Sequence, residues 1–333
     1  MNLRQSLCLS LALAVAAPAA AEVSEIRCAQ QYGLSYLALM LMQDQKLVEK
    51  HAARLGLPDV SVTWAKLGGP GAMNDALLSG GLDFGTGGVP SLVTLWAKTR
   101  GSPTEVRGVG ALNDMPVELI SGNPNVKTLR DLTEKDKIAV TTVKISTQAL
   151  LLQMAAAKLF GEQNYDRFDA LTVSMAHPDA ATALLSGSGA ISAHFSSPPF
   201  QYQETAKPGL HKIIDNYEIL GGPATFNVVW STLRFREQNP KAYAAFAAAL
   251  QEATEQIRAN RSAAAETYKR MSGSKETIEE LEKQLSDPKV EFTLAPHRVM
   301  VTAEFMYKIG RIGKMPASWK ELFFDNVHGL AGS

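Results

Sequence analysis

The residue types that could do chemistry in this 333-residue chain are scattered, and few of their spacings belong to a reaction. Its histidines are His51, His177, His194, His211, His297 and His328, with no helical i,i+4 pair, no His-x-His and no HExxH. A zinc or iron site therefore has little support. There is no G-x-S-x-G elbow and no G-x-x-x-x-G-K-[ST] phosphate loop. Gly85-Thr86-Gly87-Gly88 lacks the third glycine and the downstream acid of a dinucleotide fingerprint. Cys28 sits in an alternating apolar run and reads as a small buried strand residue rather than a nucleophile. These residues argue against an enzyme, a metal and a cofactor.

Binding chemistry is better served. In open α/β sheets ligands settle beyond the carboxyl ends of strands, where helix N-termini offer free amide donors. Four loops carry suitable side chains. The first, Gln30–Tyr36, brings Gln31, Tyr32 and Tyr36, whose rings can pack on a ligand while their hydroxyls donate to it, although Tyr36 also fits a core position. In the second, Gly88 lets backbone approach closely and Val89-Pro90 open a helix; a plain tight turn is the alternative. The third, Thr141–Gln148, offers Thr142, Ser146 and Thr147, with Ser146 or Thr147 placed to cap the following helix. Lys144 is either a source of charge there or a solvated loop residue. The fourth joins His177 to the passage Ala193–Phe200, where Ser197 precedes two prolines that aim Phe200 as an aromatic wall. His177 and His194 also suit helix capping and strand packing.

The elements that must position these loops alternate. Period-two alternation predicts a strand over Val23–Ala29, and further strands are expected over Val60–Trp64, Leu82–Gly85, Val117–Ser121, Lys137–Thr142, Ala170–Ser174 and Ala190–Phe195, with Lys212–Asn216 and Thr225–Ser231 as additional candidates. Helical spacing predicts Leu34–Leu55, Gly71–Ser79, Pro90 to about Lys98, Thr128–Leu132, Ser146–Phe160 and His177–Leu185. From Pro240 onward the chain reads as helices: Pro240–Arg258, Ala263–Met271, Lys275–Lys283, Pro296–Ile309 and Trp319–Leu322. The fold class expected is α/β, with mostly parallel sheets wrapped by helices.

Met1–Ala21 has the form of a secretory leader: Arg4, the apolar run Leu7–Ala17 and the small-residue close Pro18–Ala21. That apolar run is too short to span a hydrocarbon core of roughly 30 Å. Cys8 lacks the small residues just before it that lipidation needs. A cut near Ala21 leaves about 310 residues, enough for two modest domains. The mature chain keeps only Cys28, so a core rather than disulfides must hold it. With 33 basic and 33 acidic residues, nothing marks it for nucleic acid or an anionic membrane.

In its loops and their order the chain resembles the substrate-binding proteins of nitrate/sulfonate/taurine-type ABC importers. The carriers are the leader, Asp83–Ser91, the Lys127–Leu132 segment before the strand Lys137–Thr142, and His177–Gly187 followed by Phe195–Phe200. The resemblance implies a type II periplasmic-binding-protein fold: two lobes joined by two crossing strands, near Leu112–Pro116 and Thr225–Val228. One lobe would comprise 22–112 plus 226–333, the other 113–225. It implies ligand contacts on the four loops and on Phe226 and Asn227, an exported monomer in the periplasm, and permease and ATPase subunits as partners. The loops offer aromatic and neutral polar groups more than cations, so a small organic, anionic ligand (sulfonate, carboxylate or heteroaromatic) is expected. The same fold also resembles that of the thiamine-pyrimidine synthase group, but nothing in this chain resembles that group's cysteine-rich motif, and the mature chain keeps only Cys28. A ligand-sensing domain would use the same cleft but would call for a second membrane segment, and no apolar run after the leader approaches 18 residues.

Overall fold

Alternating apolar segments build two five-stranded sheets of the same design. The structure, a computed structural model, describes residues 21–333, so the expected leader lies, apart from Ala21, outside the described residues. In chain order the strands are β1 (Glu25–Gln30), β2 (Ser61–Lys66), β3 (Phe84–Gly88), β4 (Val106–Asp114), β5 (Glu118–Ser121), β6 (Ile138–Val140), β7 (Thr172–Ser174), β8 (Ala193–Ser196), β9 (His211–Asp215) and β10 (Thr225–Thr232). The first sheet runs β2-β1-β3-β10-β4 and the second β7-β6-β8-β5-β9. In each, four strands point one way and one opposes them: β10 in the first, β5 in the second. Those two are the strands by which the chain arrives from the other sheet. The mixed, mostly parallel α/β architecture expected from the alternation is what forms.

Several local expectations need correction. The glycines expected to form a turn after Leu82–Gly85 are the strand β3 itself. Trp230, opposite Gly85 on antiparallel β10, lies over them: a Cβ on Gly85 would sit 2.5 Å from Trp230 Nε1, and one on Gly87 2.9 Å from its ring. An aromatic covering a glycine strand fills the sheet face that the glycines leave bare. The single helix expected over Leu34–Leu55 is divided into a 3-10 turn at Leu34–Tyr36 and helices Leu37–Gln45 and Leu47–Arg54, because Lys46 adopts a left-handed conformation (φ 51°). The helix expected from Pro296 starts at Val299, after left-handed Arg298. Strand β4 and the short helices Phe200–Thr205, Asn216–Leu220 and Leu233–Gln238 were not foreseen.

The first sheet packs on an aromatic stack, with Phe84 on Phe246 (centroids 3.7 Å apart) and edge-on to Phe235 at 5.2 Å. A bidentate pair from Arg27 to Asp83 (3.1 and 2.7 Å) ties β1 to the start of β3. Between the sheets the chain passes at residues 115–117 and returns through 216–224. Asn216 clamps the two passages together: its amide donates to the Met115 carbonyl (3.1 Å) and its carbonyl accepts from Val117 N (3.0 Å). Beside them Thr225 donates to Asp114 (3.0 Å), and His297 bonds the other Asp114 oxygen at 2.5 Å.

Candidate functional site

The carboxyl ends of β1 and β3 in one sheet face those of β6 and β8 in the other, so four loops and the start of β10 converge. Between them lies a small cavity of about 10 Å³. Of the residues expected to bind, Gln31, Tyr32, Tyr36, Gly88, Ser146, Thr147, His177, Ser197, Phe226 and Asn227 line it. Ser35, Thr141 and Gln148, which belong to the expected loops without having been singled out, and Pro70, outside them, also line it. Gln148 carried a readable signal, an amide in the first turn followed by four apolar residues.

Five residues singled out in the sequence stand elsewhere. Val89 and Pro90 form the buried first turn of the helix Val89–Thr99, behind Gly88. Thr142 donates to the Thr141 carbonyl (2.8 Å) and abuts Gly69. Phe200 stacks at 5.9 Å on the His177 ring and, with Tyr32, walls a separate outer groove of about 560 Å³. Lys144 is exposed, in a left-handed conformation with φ 61°.

The two sides of the cavity are pressed together, and glycine permits it. A Cβ on Gly88 would sit 1.7 Å from Thr147 Oγ1, and one on Gly69 2.5 Å from the Thr141 carbonyl. Gly33, at φ +111°, packs on Pro198, whose carbonyl accepts from Leu34 N at 2.9 Å.

The lining is polar and uncharged. Ser146 caps the helix Thr147–Phe160 by accepting from Ala149 N (3.3 Å), so that helix directs its first amides here. Asn227 donates to Ser35 Oγ (2.9 Å) and Gln31 to the Thr86 carbonyl (3.3 Å). The hydroxyls of Thr147 and Ser197 are buried with no protein partner. Hydroxyls of that kind are met by an ordered water or by a bound group. Burial lowers the pKa of His177, with neighbouring His194 as a second cause, which keeps the ring neutral. Burial likewise raises the Cys28 thiol, which lies in the core away from the cavity. Among the described residues no group of three or more His, Cys, Asp or Glu could hold a metal ion, and no helix is long and apolar enough to cross a membrane.

Comparison with solved structures shows the same fold. The alkanesulfonate-binding protein SsuA from Xanthomonas axonopodis pv. citri, bound to MOPS, aligns with a TM-score of 0.68 at 19% identity, covering 89% of this chain and 96% of that one. The aliphatic sulphonate binding protein SsuA from Escherichia coli gives 0.64 at 18% identity, over 93% and 100%. The nitrate-binding protein NrtA from Synechocystis PCC 6803 gives 0.66 at 17%, over 90% and 84%. No curated protein sequence matches. The NMT1-like family model matches residues 20–272, most of the sequence, and the chain belongs to the NMT1-like family.

Proposed function

We propose that this chain is the extracytoplasmic solute-binding component of an ABC importer, capturing a small organic anion between two lobes. The lobes are residues 22–112 plus 226–333 and residues 113–225. One observation carries the reading: two buried, unpartnered hydroxyls, Thr147 and Ser197, in a neutral polar cavity where the strand ends of two sheets meet. Hydroxyls, side-chain amides and a helix N-terminus can hold an anion without a cation, because each supplies a donor where water is excluded. The relatives of like fold are named as sulfonate- and nitrate-binding proteins, which supports the same class of ligand here.

As it stands the cavity has room for about one water. Capture of an organic ligand therefore requires the faces to part, flexing at residues 115–117 and 216–224, and then to close. The closed surface would be read by a permease with its ATPase, the chain acting as a periplasmic monomer released from its leader near Ala21. No bond is made or broken, and the cavity presents no nucleophile paired with a base.

Thermal melting of the purified protein against sulfonates, aromatic carboxylates, pyrimidines and inorganic anions tests this. A ligand at a hundredfold its Kd adds about 2.7 kcal/mol to stability, a rise of several degrees. Turnover of any member of the panel, or no shift with all of them, overturns the proposal.

A further inference from the structure

A line of hydrogen bonds leaves the cavity and ends on a carboxyl sealed in the protein. Thr141 Oγ1 lies 3.4 Å from Gln148 Oε1, and Gln148 Nε2 lies 3.2 Å from His177 Nε2. His177 Nδ1 is 2.8 Å from His194 Nε2, and His194 Nδ1 is 2.6 Å from Glu204 Oε1. Thr141, Gln148 and His177 line the cavity, whereas the side chains of His194 and Glu204 are 1% and 0% exposed. Each intermediate group can donate at one end and accept at the other, so the whole row can reverse its direction.

We propose that Glu204 sets, through His194, His177 and Gln148, whether the cavity is offered a hydrogen-bond donor or an acceptor, and that an anionic ligand is therefore bound together with one proton. The inference rests on the reading of the cleft as an anion site.

The two directions follow from counting hydrogens. With Glu204 ionised, His194 Nδ1–H donates to it, His177 Nδ1–H donates to His194, the Gln148 amide donates to His177 Nε2, and Thr141 donates to the Gln148 carbonyl. Thr141 then turns only lone pairs to the cavity, which an anion avoids. One proton from solvent on Glu204 reverses every bond. Glu204 O–H donates to His194 Nδ1, His194 Nε2–H to His177 Nδ1, and His177 Nε2–H to the Gln148 carbonyl. The Gln148 amide, turned over, donates to Thr141 and frees the Thr141 O–H for the ligand. If the proton crosses to His194 to make an ion pair, Nε2–H still points at His177 and the cavity end is unchanged.

Burial favours the neutral forms throughout, pushing Glu204 up to about 8 and His194 down to about 3, with the nearby Ser196 hydroxyl partly offsetting the rise at Glu204. The elements packed on the Phe200–Thr205 helix bring other titratable groups: His177 and Asp179 from the helix His177–Ser186, Glu118 from β5, His194 from β8, and His211, Lys212 and Asp215 from β9. Of these titratable groups only His194 is bonded to Glu204. Lys212 is held by Asp215 (2.6 Å) and Glu218 (3.0 Å), His211 by the Val126 carbonyl (2.7 Å), and Tyr202 of the same helix by Asp287 (3.2 Å).

Nitrogen-15 NMR of the imidazoles in ligand-free protein reads the direction of the row. As pH rises through about 8, His177 and His194 should move their N–H from Nε2 to Nδ1 together, and in Glu204→Gln neither should change. Tautomers that ignore pH, or that change equally in Glu204→Gln, overturn the proposal; should that variant not fold, the wild-type titration decides alone. Calorimetry with methanesulfonate and benzoate at about pH 9, in two buffers of different ionisation heat, reads the proton. Close to one proton should be taken up per ligand, with affinity falling up to about tenfold per pH unit above 8, and both effects should vanish in Glu204→Gln. Binding without proton uptake overturns the proposal. A tautomer switch with no anion bound supports the reversible row and instead overturns the anion reading of the cleft.

Discussion

The two faces of the cleft differ in what they contribute. The face from the first sheet brings backbone: Gly33, Gly69 and Gly88 lie against the opposite loops, and its polar side chains Gln31 and Asn227 already have partners within their own half. The face from the second sheet brings unspent chemistry: the bare hydroxyls of Thr147 and Ser197 and the row from Thr141 to Glu204. One side supplies shape and the other supplies bonds. Substitutions on the first face should therefore alter closure, and those on the second should alter recognition.

Gly88→Ala is the hardest test of that division. Gly88 has φ −75° and ψ 159°, a conformation open to any residue, so the new methyl costs nothing in the backbone. Its only quarrel is with Thr147 across the cleft. Overpacking of this kind costs about 1–3 kcal/mol, which predicts affinity weaker by about fivefold to 150-fold for whichever panel compound gives the largest thermal shift. The melting temperature without ligand should barely move, since the faces can part. Unchanged affinity by calorimetry would mean that closure does not bring Gly88 and Thr147 together.

On the second face the expected signs are opposite for stability and binding. Thr147→Val and Ser197→Ala each remove a buried hydroxyl that has no protein partner. Removing an unsatisfied polar group leaves the unliganded protein as stable as before, or more stable by up to about 1 kcal/mol. A hydrogen bond to the ligand is worth about 0.5–1.5 kcal/mol, so affinity should fall about threefold to tenfold in each variant. Loss of stability with no loss of affinity would show that these hydroxyls serve the fold instead.

What could be read from the sequence followed how local the cause was. The strand-end loops announce themselves because small, polar and aromatic residues interrupt apolar runs, so Tyr32, Ser146 and Ser197 were legible. The fold class was legible for the same reason, as strand and helix periods alternate. The glycine end of strand β3 was not, because the reason for residues 86–88 continuing the strand is antiparallel β10 with Trp230, far away in sequence. Nor was the break at Lys46 legible within a run of continuous helical periodicity. Glu204 was invisible for a like reason: glutamate in a short polar helix reads as solvated, and only the approach of β8 buries it against His194. Phe200 was placed one layer too near, since its ring backs His177 rather than lining the cavity.

The smallest expected effect tests whether the second face works without fixed positive charge. Lys144 is the cation nearest in sequence to the capped N-terminus of that helix, and a sulfonate- or carboxylate-binding site invites the assumption that it is used. It is exposed, held in a left-handed turn, and absent from the cavity wall. A solvated charge acts on a ligand through water and salt, where the attraction falls to about 1 kcal/mol or less and fades beyond a Debye length of about 8 Å at physiological ionic strength. Lys144→Ala should therefore change affinity by less than about threefold at physiological salt, with the remaining difference vanishing as salt is raised. A tenfold loss that persists in high salt would mean that Lys144 turns inward on binding. The neutral donors would then be accessory, and the difference between the two faces would become one of charge rather than of hydrogen-bond direction.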